Sequence, residues 1–324
     1  MARASKTIGV IGENLVDLFV DAAGSVRAIV GGGPFNVARS VARLGFDATF
    51  ISGISDDAFG RIISATLHNE GVRTIPASAS TRPTAMALVE LERGIPRYGF
   101  HLTDAAAFDL DKHIIIKELT SGGHAPDYLY FGTLGLLIEP MASIGEELIM
   151  SSLDDVVVVI DPNCRPGAVP DEAQFRVRLN RLFTRADIVK VSTEDLDYLA
   201  SDSSHEASIA AMLDSGTTCV IVTNGPHNVD VHTATDTQSI DVPWAPVVDT
   251  VGAGDALVGG LLAWWSGHGF GRGEVGTITH VVDAVQAAIS VSVSTCTRSG
   301  AEPPWQDEML AAPGWEWLSD YAKG

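Results

Sequence analysis

The feature that most constrains the fold is a run of five branched apolar residues, Val156-Val157-Val158-Val159-Ile160, with no polar residue among them. A strand of this kind is apolar on both faces, so both faces must be covered. Parallel sheets with helices on each side provide that environment. The run therefore predicts a parallel strand inside an α/β/α domain.

Strand and helix patterns alternate on both sides of this run. The predicted strands are 7–12, 48–54, 128–133, 156–161, 188–191 and 220–223. The predicted helices are 140–150, 172–183 and 207–213, with others beginning near Asn36, Asp56, Asp255 and Thr277. Such alternation is typical of a three-layer α/β/α domain with a mostly parallel central sheet.

The segment 74–102 departs from this alternation, because its apolar residues recur at every second position, as in Ala85, Ala87 and Val89. Period two with one polar face predicts exposed antiparallel strands. Together with strands near 16–20 and 25–30, they are expected to form a separate small sheet. The C-terminal tail, rich in Pro and Trp, is interpreted only as a surface-wrapping segment.

Length and charge narrow the class of protein. The chain has 324 residues and 46% hydrophobic content, which favours one large domain with a minor appendage. Its formal net charge is -20, from 41 acidic and 21 basic residues. This charge argues against a nucleic-acid partner, because nucleic acids are bound by clustered Lys and Arg. A single nucleotide is not excluded, since it needs only a local cradle of amides.

Cysteine usage and hydropathy bear on the compartment. Cys164, Cys219 and Cys296 are far apart, which suits a reducing compartment and gives no metal-ligand spacing. No apolar run approaches the roughly 20 residues needed to span a bilayer. We therefore expect a cytoplasmic protein with no membrane partner.

The stretch Asp249-Thr250-Val251-Gly252-Ala253-Gly254-Asp255 leads into an apolar helical pattern. Amides at the start of a helix lack partners within the helix, and the helix dipole adds positive charge there, so an anion is stabilised. Gly252 and Gly254 let the backbone approach a ligand closely. Asp255 is a candidate general base for phosphoryl transfer, and helix capping is its alternative role.

A second glycine cluster, Gly31-Gly32-Gly33-Pro34-Phe35-Asn36, is followed by a glycine-containing stretch at 52–60. With 249–257, these stretches resemble the two signatures of the PfkB/ribokinase family of carbohydrate kinases. The resemblance extends over nearly the whole chain through Gly12-Glu13-Asn14-Leu15-Val16-Asp17, Asp161-Pro162-Asn163-Cys164-Arg165 and Thr223-Asn224-Gly225. The middle element and 190–195 most resemble the bacterial fructokinase and 2-keto-3-deoxygluconate kinase branch.

The resemblance implies a single ribokinase-like kinase domain over 1–324, with a small β-sheet lid built from strands at about 13–30 and 74–103. It implies ATP as the phosphoryl donor, Mg²⁺ as cofactor and a primary hydroxyl of a small sugar as the acceptor. It leaves open a monovalent cation, K⁺, and a homodimer formed through the lid.

The resemblance also implies roles for individual residues. Asp255 is the general base, and the amides of Gly252, Ala253 and Gly254 stabilise the transferring group. The implied sugar-binding residues are Asp17, Gly32, Gly33, Asn36, Phe100 and Arg165, with Asp17 expected at the end of its strand. The implied nucleotide-binding residues are Lys190, Thr223, Gly225, Gly252 and Gly254. Glu194 and Asp195 match an element that orders Mg²⁺ through water, and Asp249, Val251, Thr295, Arg298 and Gly300 match a monovalent-cation site in some relatives.

Several alternatives stay open. Asn36 could cap its helix, Arg165 could be a surface residue, and Glu194 could simply begin a helix. In relatives that phosphorylate 2-keto-3-deoxygluconate, an Arg that helps bind the substrate carboxylate stands where this chain has Leu102. Its absence favours a neutral sugar such as fructose over the sugar acid, although Arg97 or Arg165 could replace it.

Other classes of protein share some of these sequence features. A nucleoside or vitamin kinase of the same fold has the same signatures. A non-catalytic sugar sensor is disfavoured because the base and the anion site are both present. Gly9 and Gly12 match a dinucleotide fingerprint only weakly, which disfavours a dehydrogenase.

Overall fold

The fold is built around one large central sheet. The computed structural model describes residues 6–21, 24–92, 95–121, 125–152, 154–200 and 203–321. The strands of the large sheet, in spatial order, are β5 (Arg73–Ile75), β4 (Ala48–Ile51), β1 (Ile8–Ile11), β8 (Tyr128–Gly132), β9 (Val157–Asp161), β10 (Ile188–Ser192), β11 (Cys219–Asn224), β12 (Asn228–Thr233) and β13 (Thr237–Asp241). Neighbours from β5 to β11 are parallel, and β12 and β13 add an antiparallel hairpin at one edge. This confirms the predicted mostly parallel sheet.

Helices cover both faces of this sheet. In chain order they are α1 (Gly33–Arg43), α2 (Ala58–Asn69), α3 (Lys112–Ser121), α4 (Met141–Met150), α5 (Glu172–Phe183), α6 (Thr193–Ala200), α7 (His205–Ser215), α8 (Ala253–His268), α9 (Ile278–Cys296), α10 (Gln306–Met309) and α11 (Leu318–Tyr321). One apolar core contains residues of α1, α2, α8 and α9, and a second contains residues of α3 to α7. The two cores explain why residues 157–160 of β9 are apolar and why the whole strand is buried. Among the described residues, no helix is both long and apolar enough to cross a membrane.

A separate four-stranded sheet, here called the lid sheet, has the spatial order β3 (Val26–Gly31), β2 (Leu15–Val20), β6 (Ala85–Glu92) and β7 (Ile95–His101). Alternate residues of β6, namely Ala85, Ala87 and Val89, are buried, as their period of two predicts. The sheet is mixed, because β2 and β6 run parallel while the outer pairs are antiparallel.

Several expectations need correction. Asp17 lies inside β2 and not at its end, and α1 begins at Gly33, so Asn36 is an interior helical residue that does not cap it. Residues 73–75, at the start of the expected lid segment, pair with β4 in the large sheet. The tail is more than a surface wrapping, because Trp315 is fully buried and donates a hydrogen bond to the Ala287 carbonyl at 2.9 Å.

Candidate active site

A cavity of about 480 Å³ lies between the lid sheet and the carboxyl ends of the large-sheet strands. Its lining residues come from the lid sheet, from the loops after β1, β8 and β9, from β10, and from the first turns of α1 and α8 with the residues just before them. They are Glu13, Leu15, Asp17, Gly32, Gly33, Asn36, Ala87, Phe100, Thr133, Leu134, Asn163, Arg165, Lys190, Thr250, Val251, Gly252, Ala253, Gly254 and Asp255. Ligands of open parallel sheets bind at this edge.

The lid sheet supplies one wall through residues in register. Asp17 of β2 pairs with Ala87 of β6, which pairs in turn with Phe100 of β7. Cross-strand partners point to the same face of a sheet, so one carboxylate, one methyl and one aromatic ring line the cavity together. Burial raises the pKa of Asp17 to about 6, with Arg165 opposing the shift and Asp255 adding to it.

The opposite wall is the glycine loop, residues 250–254, which leads into α8. Gly252 has φ 78° at the helix N-cap, a left-handed conformation that favours glycine. The Ala253 amide donates to the Thr250 carbonyl at 3.2 Å, so it is engaged in a turn. A Cβ added at Gly254 would lie 3.1 Å from the Lys190 ammonium. The loop and the lysine together form a positive, anion-accepting surface.

Asp255 lies in the first turn of α8 and is 8% exposed. Its Oδ2 accepts a hydrogen bond from the Asn36 side-chain amide at 2.9 Å. Its Oδ1, beside Gly33, has no hydrogen-bond partner within the described chain. Burial raises the pKa of Asp255, while Asn36, Lys190 and Arg165 favour the ionised form. One oxygen is thus oriented and the other is available to accept a proton.

Lys190 is buried beside Asp161, with its ammonium 3.3 Å from Asp161 Oδ2. Burial opposes the charge of Lys190, but Asp161, Asp195 and Asp255 raise its pKa above the ordinary value. Burial raises the pKa of Asp161 to about 6, against the effect of Lys190. The sequence alone predicted no role for Asp161, because its partner Lys190 lies on the neighbouring strand β10.

Glu13 follows β1 and is 2% exposed. Its carboxylate accepts hydrogen bonds from the Thr133 hydroxyl, from the Gly135 amide at 3.1 Å and from the Gly33 amide at 3.3 Å. Thr133 has φ 55°, which costs roughly 1–3 kcal/mol for a residue other than glycine. Burial raises the pKa of Glu13 to about 7, although Thr133 and Gly135 favour its ionised form. Sequence reasoning missed Glu13 and Thr133, and only the Gly-Glu-Asn motif pointed to the former.

The family follows from a comparison with known proteins. The model of the pfkB family carbohydrate kinases matches residues 7–308. The chain belongs to that family. Its membership and the structural likeness below confirm the predicted ribokinase-like fold and the predicted carbohydrate kinase class.

Individual relatives agree with this assignment. A fructokinase of Rhizobium leguminosarum bv. trifolii is 34% identical over 233 residues, which span 72% of this chain and 70% of that protein. A structure of a Xylella fastidiosa fructokinase with bound ATP has a TM-score of 0.87 and 25% identity, covering 99% of this chain and 100% of the other. A Vibrio cholerae O395 fructokinase with bound fructose, ADP and calcium ion has a TM-score of 0.76 and 26% identity, covering 98% and 99%.

Most of the site residues predicted from the sequence of this carbohydrate kinase line the cavity, but some do not. The implied sugar-binding residues all line it, as do Lys190, Val251, Gly252, Ala253, Gly254 and Asp255. Thr223 and Gly225 lie instead at the end of β11, outside the cavity lining, and the Thr223 hydroxyl donates to the Val191 carbonyl at 3.4 Å. Their role in binding the nucleotide stays a prediction.

The acids expected near magnesium also lie outside this lining. Glu194 is exposed. Asp195 is buried, and its carboxylate accepts hydrogen bonds from the Cys164 amide at 2.6 Å and from the Ser192 amide at 2.8 Å. These bonds hold the loop after β9 to the start of α6, so Asp195 has a structural task whether or not it also contacts a hydrated cation.

The residues matched to a monovalent-cation site form a partly connected group. Asp249 accepts hydrogen bonds from the Val251 amide at 3.1 Å and the Gly300 amide at 2.9 Å. Thr295 donates its hydroxyl to the Val291 carbonyl, and the Arg298 guanidinium pairs with Glu308. The potassium site, which would consist mainly of backbone carbonyls, stays a prediction.

Proposed function

We propose that this chain transfers the γ-phosphoryl group of ATP to a primary hydroxyl of fructose. The single observation that carries this proposal is the position of Asp255 in a cavity with two chemically different ends. Glu13 and Asp17 form an acidic end, here called the lid-side end, and Lys190 with residues 250–254 forms a positive end, here called the glycine-loop end. The relatives support the choice of substrates, since fructokinase structures hold ATP in one case and fructose with ADP in another.

The proposed step is an in-line displacement. The sugar oxygen forms a bond to the γ-phosphorus, and the bond from that phosphorus to the β,γ-bridging oxygen breaks, so that ADP leaves. The hydroxyl proton passes to Asp255, whose Oδ1 is the oxygen without a partner in the described chain. A positioned base of this kind is worth about 10²–10⁴ in rate.

The glycine loop and Lys190 stabilise the charge on the phosphates. The amides of the first turn of α8 face the cavity end that Gly254 and Lys190 share. Because the Ala253 amide already donates to Thr250, Gly252 and Gly254 are the stronger candidates for contact with the transferring group. Preorganised donors of this type lower the barrier without reorganising during the reaction.

Magnesium stays a prediction for this chain. Among the residues described, no group of three or more His, Cys, Asp or Glu side chains could hold a metal ion. Magnesium in kinases is commonly held by one or two carboxylates together with the substrate phosphates, where it neutralises their charge. The protein therefore fits a cation that arrives with the nucleotide, and we assign no separate step to it.

The charges at the lid-side end favour a neutral acceptor. Glu13, Asp17 and Asp255 all line the cavity, and carboxylates accept hydrogen bonds from sugar hydroxyls. A substrate carboxylate placed among them would be repelled and costly to desolvate. Leu102 is buried in the apolar core, so it offers no donor to a sugar acid.

A second candidate acceptor is 2-keto-3-deoxygluconate, and one observation favours it. Arg165 lines the cavity, and its guanidinium donates only to the nearby backbone carbonyls of Asn163 and Cys164 within the described chain. It therefore retains donors for an anion. The side chain of Arg97, the other arginine considered, lies outside the part that the structure describes.

A coupled assay of ADP formation distinguishes the two acceptors. We expect kcat/KM for fructose to exceed that for 2-keto-3-deoxygluconate. Arg165→Gln should lower kcat/KM for fructose by about tenfold at most, because it removes no more than one hydrogen bond to a neutral sugar. A higher kcat/KM for the sugar acid, abolished by Arg165→Gln, would establish the second candidate instead. The lid dimer and the cytoplasmic location stay predictions.

A further inference from the structure

Two buried arginines of α1 share two carboxylates from distant parts of the chain. Arg39 donates to Glu70 at 2.9 Å and to Glu302 at 3.1 Å, and Arg43 donates to the same two residues at 2.6 Å. The side chains of Arg39, Arg43 and Glu70 are 5%, 8% and 7% exposed. The network fixes the C-terminal segment that follows α9 to α1.

That segment, residues 300–303, is here called the backing segment because it lies directly behind the glycine loop. Gly300 donates its amide to Asp249 at 2.9 Å. A Cβ added at Gly252 would lie only 2.5 Å from the Ala301 Cβ. Any displacement of Ala301 toward the loop would therefore move Gly252, the N-cap residue of α8.

Arg39, unlike Arg43, donates a hydrogen bond directly to Ala301. Its Nη1 donates to the Ala301 carbonyl at 3.0 Å, whereas Arg43 Nη1 donates to the Pro303 carbonyl at 2.7 Å. Arg39 also lies three residues after Asn36, which orients Asp255. Residues three apart share one helix face, so this face of α1 contacts both the base and the backing of the glycine loop.

We propose that Arg39 is a positioning residue for the nucleotide, acting through Ala301 on the glycine loop. A guanidinium suits this task because its fixed fork of donors satisfies two carboxylates and one carbonyl at once. A lysine at the same place would retain the charge but offers a single nitrogen. The proposal rests on the proposed function only in that the glycine loop binds ATP phosphates.

Calorimetric titration with ADP tests the proposal, because ADP binding needs no acceptor and no turnover. We compare Arg39→Gln, Arg39→Lys and Arg43→Gln, which removes pairs with the same carboxylates but spares the Ala301 contact. Arg178→Gln is a remote control, since Arg178 is a buried arginine of α5 paired with Glu139 and Glu146. Thermal unfolding of each variant is measured beside the titration.

We expect both Arg39 variants to weaken ADP binding about tenfold, the size expected for one charged hydrogen bond, with fructose affinity within about twofold of the wild type. Arg43→Gln and Arg178→Gln should lower the unfolding temperature yet leave ADP affinity within about twofold. An equal loss of ADP affinity in Arg43→Gln would overturn the proposal, since the Ala301 contact is then not the cause.

If Arg39→Gln does not fold, the Arg39→Lys variant tests the positioning role instead. A folded lysine variant with unchanged ADP affinity, or a lysine variant that cannot fold, would show that Arg39 acts on stability alone. A wild-type chain that binds ADP but does not phosphorylate fructose would refute the proposed acceptor. The ADP titration would still measure the effect of the Arg39 variants. Loss of ADP affinity in the lysine variant at a near-normal unfolding temperature supports the positioning role.

Discussion

The two ends of the cavity differ in charge, and the difference indicates which ligand each can hold. At the lid side, Glu13 and Asp17 are carboxylates whose pKa values burial raises to about 7 and about 6. At the glycine-loop side, Lys190 stays charged because Asp161 and other acids raise its pKa against the effect of burial. One end thus suits hydroxyl groups, and the other suits phosphates.

Asp255 lies where the two ends meet. Its negative charge raises the pKa of Glu13 and Asp17 on one side and of Lys190 on the other. A base that interacts electrostatically with both ends is placed to take the proton of a sugar hydroxyl as that hydroxyl attacks the phosphate. The chain's net charge of -20 does not prevent phosphate binding, because the glycine loop and Lys190 set the local charge at the binding site.

The largest expected effect comes from Asp255→Asn, which should lower kcat by about 10²–10⁴ with fructose and ATP. The asparagine keeps the size of the side chain and removes only the proton acceptor. Asp214→Asn, on the exposed face of α7, is the control and should keep full activity. Turnover of the Asp255 variant near that of the wild type, with an unchanged circular dichroism spectrum, would remove Asp255 from the mechanism.

Glu13→Gln should change the pH dependence of the free energy of unfolding, and so test the raised pKa at the lid-side end. Because folding raises the pKa of Glu13 from 4.5 to about 7, its contribution to stability is fully present below pH 4.5 and is lost as pH rises through about 7. The lost contribution is about 3 kcal/mol. Glu13→Gln should therefore gain stability relative to the wild type between pH 5 and 8.

Urea unfolding at pH 5 and pH 8 measures this difference for the wild type and Glu13→Gln. Glu147→Gln, an exposed glutamate of α4 paired with Lys112, is the matched control and should show no such gain. A stability difference between Glu13→Gln and the wild type that stays constant over this range would contradict the account of Glu13.

Gly254→Ala should act mainly at the glycine-loop end. The new methyl group would lie 3.1 Å from the Lys190 ammonium and would stand between the amides and a phosphate. We expect KM for ATP to rise and kcat to fall by about tenfold, as a small misplacement of a reacting group costs, while fructose affinity changes less.

Gly273→Ala is the control for Gly254→Ala, since a Cβ at Gly273 meets nothing within 4 Å. Calorimetry that showed a large loss of fructose affinity in Gly254→Ala, with ADP affinity unchanged, would reverse the placement of the two ligands.

The sequence predicted the parts of the site that short segments determine. The glycine loop and Asp255 lie in one short segment and the first turn of α1 lies in another. The structure brings the two segments to one cavity. The large sheet was predictable for the same reason, because β9 has one apolar run that requires cover on both faces.

Features that depend on long-range contacts were not predictable. Glu13 gains its role from Thr133 and Gly135, which follow β8 in a distant part of the sequence, and Trp315 is buried because the tail folds back onto α9. The hairpin of β12 and β13 was missed because its outer strand is almost entirely exposed, so hydrophobic alternation is weak there. The order of β2 and β6 as parallel neighbours follows from the chain path and has no local signal.

The division of the cavity is tested most directly by calorimetric titration of Asp17→Asn with fructose and, separately, with ADP. The account predicts that fructose affinity falls about tenfold, because a charged acceptor of sugar hydroxyls is lost, while ADP affinity stays within about twofold of the wild type. Unchanged fructose affinity, or an equal loss for ADP, would contradict the assignment of the lid-side end to the sugar.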